Sequence, residues 1–264
     1  MNTTEEKLKA FQRLLDVMDE LRLKCPWDKK QTFESLRANT IEETYELCDA
    51  IMKKDMKDIR KELGDVLLHI VFYAKIASET NDFDIADVCN SLCDKLIFRH
   101  PHVFGEGAAK TAGEVEQTWE QIKRKEKDGN KSVLSGVPDA LPALIKSYRI
   151  QDKARNVGFD WEEKEQVWDK VKEEFDELMT EVKNLDAEKM EEEFGDLMFS
   201  MVNAARLYKI NPENALEKCN QKFIRRFNYV ESQTLAKGKD LKEMPLEEMD
   251  RYWNEAKKLE RTKE

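Results

Sequence analysis

Two pairs of carboxylates, set out twice along the chain, are the residues most able to do chemistry. Glu43 and Glu46 precede Glu62 and Asp65, and Glu174 and Glu177 precede Glu193 and Asp196. Each later residue lies 131 positions after its earlier counterpart, and Glu42 and Gly64 recur as Glu173 and Gly195 at the same offset. Residues three apart are neighbours on a helix surface, so each acidic pair points one way. A short turn between the two helices would bring the pairs face to face.

The position of these acids separates them from ordinary surface charge. A solvated face lies opposite the apolar arc of a helix. Counted at 3.6 residues per turn, Glu43 instead flanks the arc of Leu36, Ile41, Leu47, Cys48 and Ile51, and Glu62 flanks that of Ile59, Leu63, Val66 and Ile70. Carboxylates at such a boundary lose hydration and repel one another, so four converging ones call for a cation. Hard carboxylate oxygens suit Mg²⁺, with Mn²⁺ or Ca²⁺ as alternatives, whereas zinc recruits His or Cys. A di-iron bundle would use Glu-x-x-His, but the fourth position here is Asp65 or Asp196. His69, whose counterpart is Ser200, reads as structural.

Mg²⁺ held by a few carboxylates commonly takes substrate phosphates at its remaining positions. Bases follow each acidic set: Lys95 and Arg99 in the first copy, and Lys222, Arg225 and Arg226 in the second. Guanidinium groups grip phosphate oxygens in a fork. The competing role for such bases is to face a helix C-terminus. Trp253 is either a core anchor or a surface for stacking a base.

The elements that must position these groups are all helices. Leu8, Phe11, Leu14, Leu15, Met18 and Leu21 recur at helical steps, and Pro26 stops that helix near Cys25. Further helices are expected over 32–52, 56–78 and 84–99, the last ending before Pro101. A loop is expected over 105–113, a polar helix over 114–127 and a Gly/Pro-bearing segment over 128–142. Helices then follow over 141–156, 165–184, 187–208 and 212–233, with a closing helix from Pro245. No strand pattern stands out. The expected organisation is all-α: an N-terminal unit over 1–105, a linker over 106–142 and a C-terminal unit over 143–264. Gly64 and Gly195, inside helices at a cost of about 1 kcal/mol each, are expected to serve close helix packing. Cys89 and Cys93, one turn apart, could share a buried face.

Composition narrows the class. The chain has 264 residues, of which 38% are charged and 40% apolar, and its net charge is −10. That excess of acid disfavours direct nucleic-acid binding, which draws on Lys and Arg. The five cysteines contain no Cys-x-x-Cys pair, and the apolar run 66–77 is too short to span a bilayer. These features point to a reduced, cytoplasmic chain without a membrane partner.

The doubled E-E-x-x-E and E-x-G-D motifs, the K-x-x-x-R helices, Cys-Pro-Trp-Asp at 25–28 and Arg-His-Pro-His-Val-Phe at 99–104 together resemble the MazG-type nucleoside triphosphate pyrophosphohydrolases. The resemblance implies helical-bundle units that pair into homodimers, and cleavage of a nucleoside triphosphate into monophosphate and pyrophosphate in the C-terminal unit. Carried over by position, Glu174, Glu177, Glu193 and Asp196 would bind Mg²⁺. Lys170, Lys172, Lys189, Glu192, Lys222, Arg225, Arg226 and Trp253 would meet nucleotide. For the chemistry itself, a carboxylate beside the cation, Glu173 or Glu174, is expected to orient or deprotonate the attacking water. Glu43, Glu46, Glu62 and Asp65, with Lys95 and Arg99, would form a second site. The alternatives are a dUTP- or dCTP-selective pyrophosphohydrolase and a helical nucleotide-binding regulator without turnover.

Overall fold

A computed structural model describes residues 1–105, 111, 122, 132–238 and 240–261. The expected polar helix and most of the expected linker lie outside these residues. The chain divides into two units, Met1–Ala112 and Gly113–Glu264.

The first unit is built from α1 (Thr4–Lys24), α2 (Phe33–Lys53), α3 (Met56–Glu79), α4 (Ile85–Arg99) and the single turn α5 (Pro101–Phe104). The second contains α6 (Ala143–Arg155), α7 (Val167–Asn184), α8 (Ala187–Leu207), α9 (Pro212–Ala236) and α10 (Leu246–Arg261). The described residues contain no strand. Pro101 does more than end α4: it occupies the first turn of α5, where its missing N–H is no loss.

The hairpins α2–α3 and α7–α8 share one device. Lys54 (φ 57°) and Leu185 (φ 58°) turn the chain through the left-handed region. The next residue, Asp55 or Asp186, then caps the following helix, accepting backbone N–H bonds from Lys57 and Asp58 or from Lys189. A cap of this kind contributes about 1 kcal/mol. Both turn residues recur at the repeat offset, so the turn as well as the acids was duplicated.

In the first unit α1 and α2 pack on α3 around Met18, Leu36, Val71 and Phe72. Arg22 ties this unit together. Its guanidinium donates to Glu79 on α3 at 2.8 Å and to the backbone oxygens of Asp28 and Gln31. In the second unit α6 lies against α8 and α9. Val230, Met244 and Tyr252 form a separate core between α9 and the α10 segment, with Trp253 packed against it.

Two expectations are corrected. Among the described residues, a methyl group added at Gly64 or Gly195 would meet nothing within 4 Å, so neither glycine serves close packing there. Cys89 and Cys93 are exposed and share no buried face, because the surface of α4 that carries them contributes no buried residue.

Candidate metal and phosphate site

Because the shared turn fixes the register of each hairpin, the acids of facing helices meet. Carboxylate oxygens of Glu43, Glu62 and Asp65 lie within 4.8 Å of one another, as do those of Glu174, Glu177 and Glu193. Glu62 and Glu174 are buried, at 5% and 7% exposure. Burial together with Asp65, Glu46 and Glu62 raises the Glu43 carboxyl above the ordinary carboxylate range. Burial together with Glu177, Asp196 and Glu174 raises that of Glu193 in the same way. Glu62 Oε2 is buried with no hydrogen-bond partner among the described residues. An all-oxygen set with such an orphaned acceptor fits a hard divalent cation.

Among the described residues, each cluster holds one lysine, from a different helix in each unit. In the first, Lys61 of α3 stands 2.7 Å from Glu62, 3.8 Å from Asp65 and 3.9 Å from Glu46. In the second that position is Glu192, and Lys170 of α7 lies 2.8 Å from Glu174 and 2.9 Å from Glu173. Both ammonium groups titrate above the usual lysine range, chiefly because each donates to a glutamate. Lys61 was not among the residues picked out by sequence, although its exchange for Glu192 is legible once the repeat is aligned.

In the second unit, two of the expected bases pair with a carboxylate of α10. Arg226 pairs with Glu260 of α10 at 2.7 Å and lies over Trp253, 5.6 Å from the ring centroid. Arg225 approaches the same Glu260 at 3.6 Å. Lys222 is exposed. Among the described residues no hydrogen bond or ion pair joins Lys222, Arg225, Arg226 or Trp253 to the carboxylates. Lys172 lines an open groove beside Glu173 and Glu177; Lys189 and Glu192 are exposed on the first turns of α8, and Lys95 is exposed on α4. His69 is buried and joined to Thr40 at 2.9 Å, outside the carboxylate trio.

A cavity of about 640 Å³ adjoins the second cluster. Glu174, Asp196 and Lys170 line it, together with Phe159, Trp161, Phe199, Gln151 and Asn203. Its far side is braced by a buried ion pair: Arg206 donates to Asp160 at 3.0 Å and to Asn203 Oδ1 at 2.7 Å. None of Gln151, Asp160, Trp161, Asn203 and Arg206 was singled out as a site residue by sequence.

The MazG nucleotide pyrophosphohydrolase domain matches the chain twice, over residues 31–104 and 162–231. A nucleoside triphosphate pyrophosphohydrolase of Escherichia coli K12 is 45% identical over 96% of this chain and 99% of its own length. The nucleoside triphosphate pyrophosphohydrolase/pyrophosphatase MazG of Thermotoga maritima is 46% identical over 94% of this chain and 95% of its own length. An uncharacterised Bacillus subtilis protein, YabN, is 45% identical over 97% of this chain and 54% of its own.

Proposed function

The chain belongs to the MazG nucleotide pyrophosphohydrolase family, and from that premise we propose that it hydrolyses nucleoside triphosphates to monophosphate and pyrophosphate at the α7–α8 carboxylates, with Mg²⁺ as the working cation. The observation that carries this reading is the convergence of Glu174, Glu177 and Glu193 within 4.8 Å, beside a cavity that Glu174 and Asp196 line and that is large enough for a small-molecule ligand. Removal of unwanted triphosphates from the nucleotide pool is the corresponding role.

Glu174, Glu177, Glu193 and Asp196 would hold the cation. When bound, Mg²⁺ would neutralise phosphate charge and polarise the α-phosphorus. Glu173 is the better candidate to orient the water, because Glu174 supplies an oxygen to the buried trio whereas Glu173 is exposed and oriented by Lys170. Water gives a proton to Glu173 and adds to the α-phosphorus as the bond from that phosphorus to the α–β bridging oxygen breaks, and the electron pair leaves with pyrophosphate. Lys170 stabilises the acidic cluster before substrate arrives and meets phosphate afterwards. Exposed Lys222 and Arg225 are assigned to the departing pyrophosphate. Arg226 and Trp253 brace the α9–α10 pair.

Homodimerisation is part of the same proposal. Leu63, Leu67 and Ile70 on α3 are 53%, 37% and 44% exposed, and their counterparts Phe194, Met198 and Met201 on α8 are 54%, 49% and 47% exposed. A duplicated apolar stripe beside each acidic set suits pairing with a second copy, as would the open space at Gly64 and Gly195. Sedimentation of the chain with Phe194→Glu and Met198→Glu tests this, and an unchanged mass would refute it.

The reaction itself is tested by resolving the products of an ATP, GTP, CTP and UTP panel with Mg²⁺. Monophosphate and pyrophosphate are expected. Diphosphate and orthophosphate would overturn the reading, as would nucleotide binding without turnover.

A further inference from the structure

We propose that the cavity beside the second carboxylate cluster is a nucleobase pocket, and that Gln151 Oε1 accepts a hydrogen bond from an N–H on the edge of the base. The proposal rests on the hydrolase reading for the placement of the triphosphate and goes beyond it in assigning the base-recognition group.

Gln151 lies on α6 and is 6% exposed. Its Nε2 donates to the backbone oxygen of Phe199 at 2.8 Å. A carbonyl oxygen only accepts, so this bond fixes which end of the amide is nitrogen. Oε1 is therefore held in place, and it is buried with no hydrogen-bond partner among the described residues. A buried acceptor left without a donor costs about 1–3 kcal/mol, a cost that a bound ligand with an N–H would remove. Gln151 lines the cavity that also reaches Glu174 and Asp196.

The rest of the lining suits a flat heterocycle. Phe159, Trp161 and Phe199 supply aromatic surface. Asn203 Oδ1 accepts from both Nε and Nη2 of Arg206, at 3.1 and 2.7 Å. That leaves Nδ2 as the donor Asn203 can offer a ligand. Arg206 is itself clamped by Asp160, so the polar wall is rigid before any ligand arrives. One fixed acceptor and one donor on a lining with aromatic surface suit the two polar functions of a nucleobase edge, an N–H and a ring-nitrogen or carbonyl acceptor.

The first unit lacks this provision. The repeat places Phe72 where Asn203 stands and His69 where Ser200 stands. Phe72 is part of the apolar core with Met18, Leu36 and Val71, and His69 is bonded to Thr40. Duplicated acids thus coexist with a base pocket in the second unit only, among the described residues.

The test uses equilibrium binding to the full chain with Mg²⁺ present, comparing AMP with purine riboside 5′-monophosphate, which lacks the amino group. Inorganic pyrophosphate serves as a probe of the carboxylate cluster. The wild-type chain should bind AMP about tenfold more tightly than the deaminated analogue, the size of one net hydrogen bond. In Gln151→Leu, and in the near-isosteric Gln151→Met should leucine disturb α6, the two monophosphates should bind alike while pyrophosphate affinity is unchanged. An AMP preference that survives both substitutions, or its absence from the wild-type chain, would overturn the proposal. None of these affinities involves turnover. A chain that binds AMP in this way yet hydrolyses no triphosphate would refute the proposed reaction and leave the pocket standing.

Discussion

Lys170 Nζ lies 2.8 Å from the buried carboxylate of Glu174, so a resident ammonium occupies the ground that a divalent cation would contest. Lysine and metal both relieve the repulsion among Glu174, Glu177 and Glu193, and their effects should not add. Lys170→Met should lower the thermal midpoint of the chain in EDTA and enlarge the upward shift produced by Mg²⁺. Scanning calorimetry of both proteins with and without Mg²⁺ checks this. Equal shifts would mean that lysine and metal do not compete.

Protonation is the second competitor. The Glu193 carboxyl titrates above its ordinary value of 4.5 because of burial and its acidic neighbours. In the metal-free chain a raised carboxyl contributes stability that is complete below the unfolded value and lost as pH rises through the folded one. Wild type should therefore lose stability relative to Glu193→Gln as pH climbs from about 4 towards neutrality. With Mg²⁺ the sign reverses, because the metal needs the carboxylate. Paired thermal melts across this range, with EDTA and with Mg²⁺, test both signs.

Among the described residues, Arg206 and Asp160 form the most deeply buried ion pair of the second unit, with side-chain exposures of 3% and 18%. Removing only the cation leaves a largely buried carboxylate unpaired, at a cost of about 3–5 kcal/mol. Arg206→Met should lower the denaturant midpoint accordingly, and Arg206→Lys should rescue it only in part, since an ammonium cannot reproduce the fork to Asp160 and Asn203. A change below about 1 kcal/mol would place this pair among ordinary surface bridges.

Gly195 lies within α8 with open space where a Cβ would be. Gly195→Ala should stabilise the dilute chain by about 0.5–1 kcal/mol through helix propensity alone. If dimerisation or turnover falls in the same variant, the space beside Gly195 is used by a second copy or by substrate. Urea unfolding, sedimentation and rate measurements on this single variant separate the effects.

Much of this arrangement could be read before any coordinates. The helices and hairpins followed from apolar periodicity, and the convergence of the acids followed from a spacing that survives duplication. Packing between non-adjacent helices was not legible. The direction in which α9 leaves α8 decides that Arg226 meets Glu260 and Trp253 instead of the carboxylates. The side of α6 that meets α8 decides that Gln151 faces a cavity. Gly64 and Gly195 were misread for the same reason, since an absent side chain looks identical whether the neighbour is a helix or open space. The sequence carries one further signal. The exchanges of Phe72 for Asn203 and Lys61 for Glu192 already distinguished the two copies wherever their acids did not.

The central claim is that triphosphate hydrolysis takes place at the α7–α8 carboxylates. Steady-state release of pyrophosphate from ATP with Mg²⁺, measured side by side on wild type, Glu174→Gln and Glu43→Gln, tests it most directly. Glu174→Gln should lose at least about a hundredfold in rate, while Glu43→Gln keeps most of it. The claim is contradicted if Glu174→Gln stays near the wild-type rate, or if the loss falls on Glu43→Gln instead.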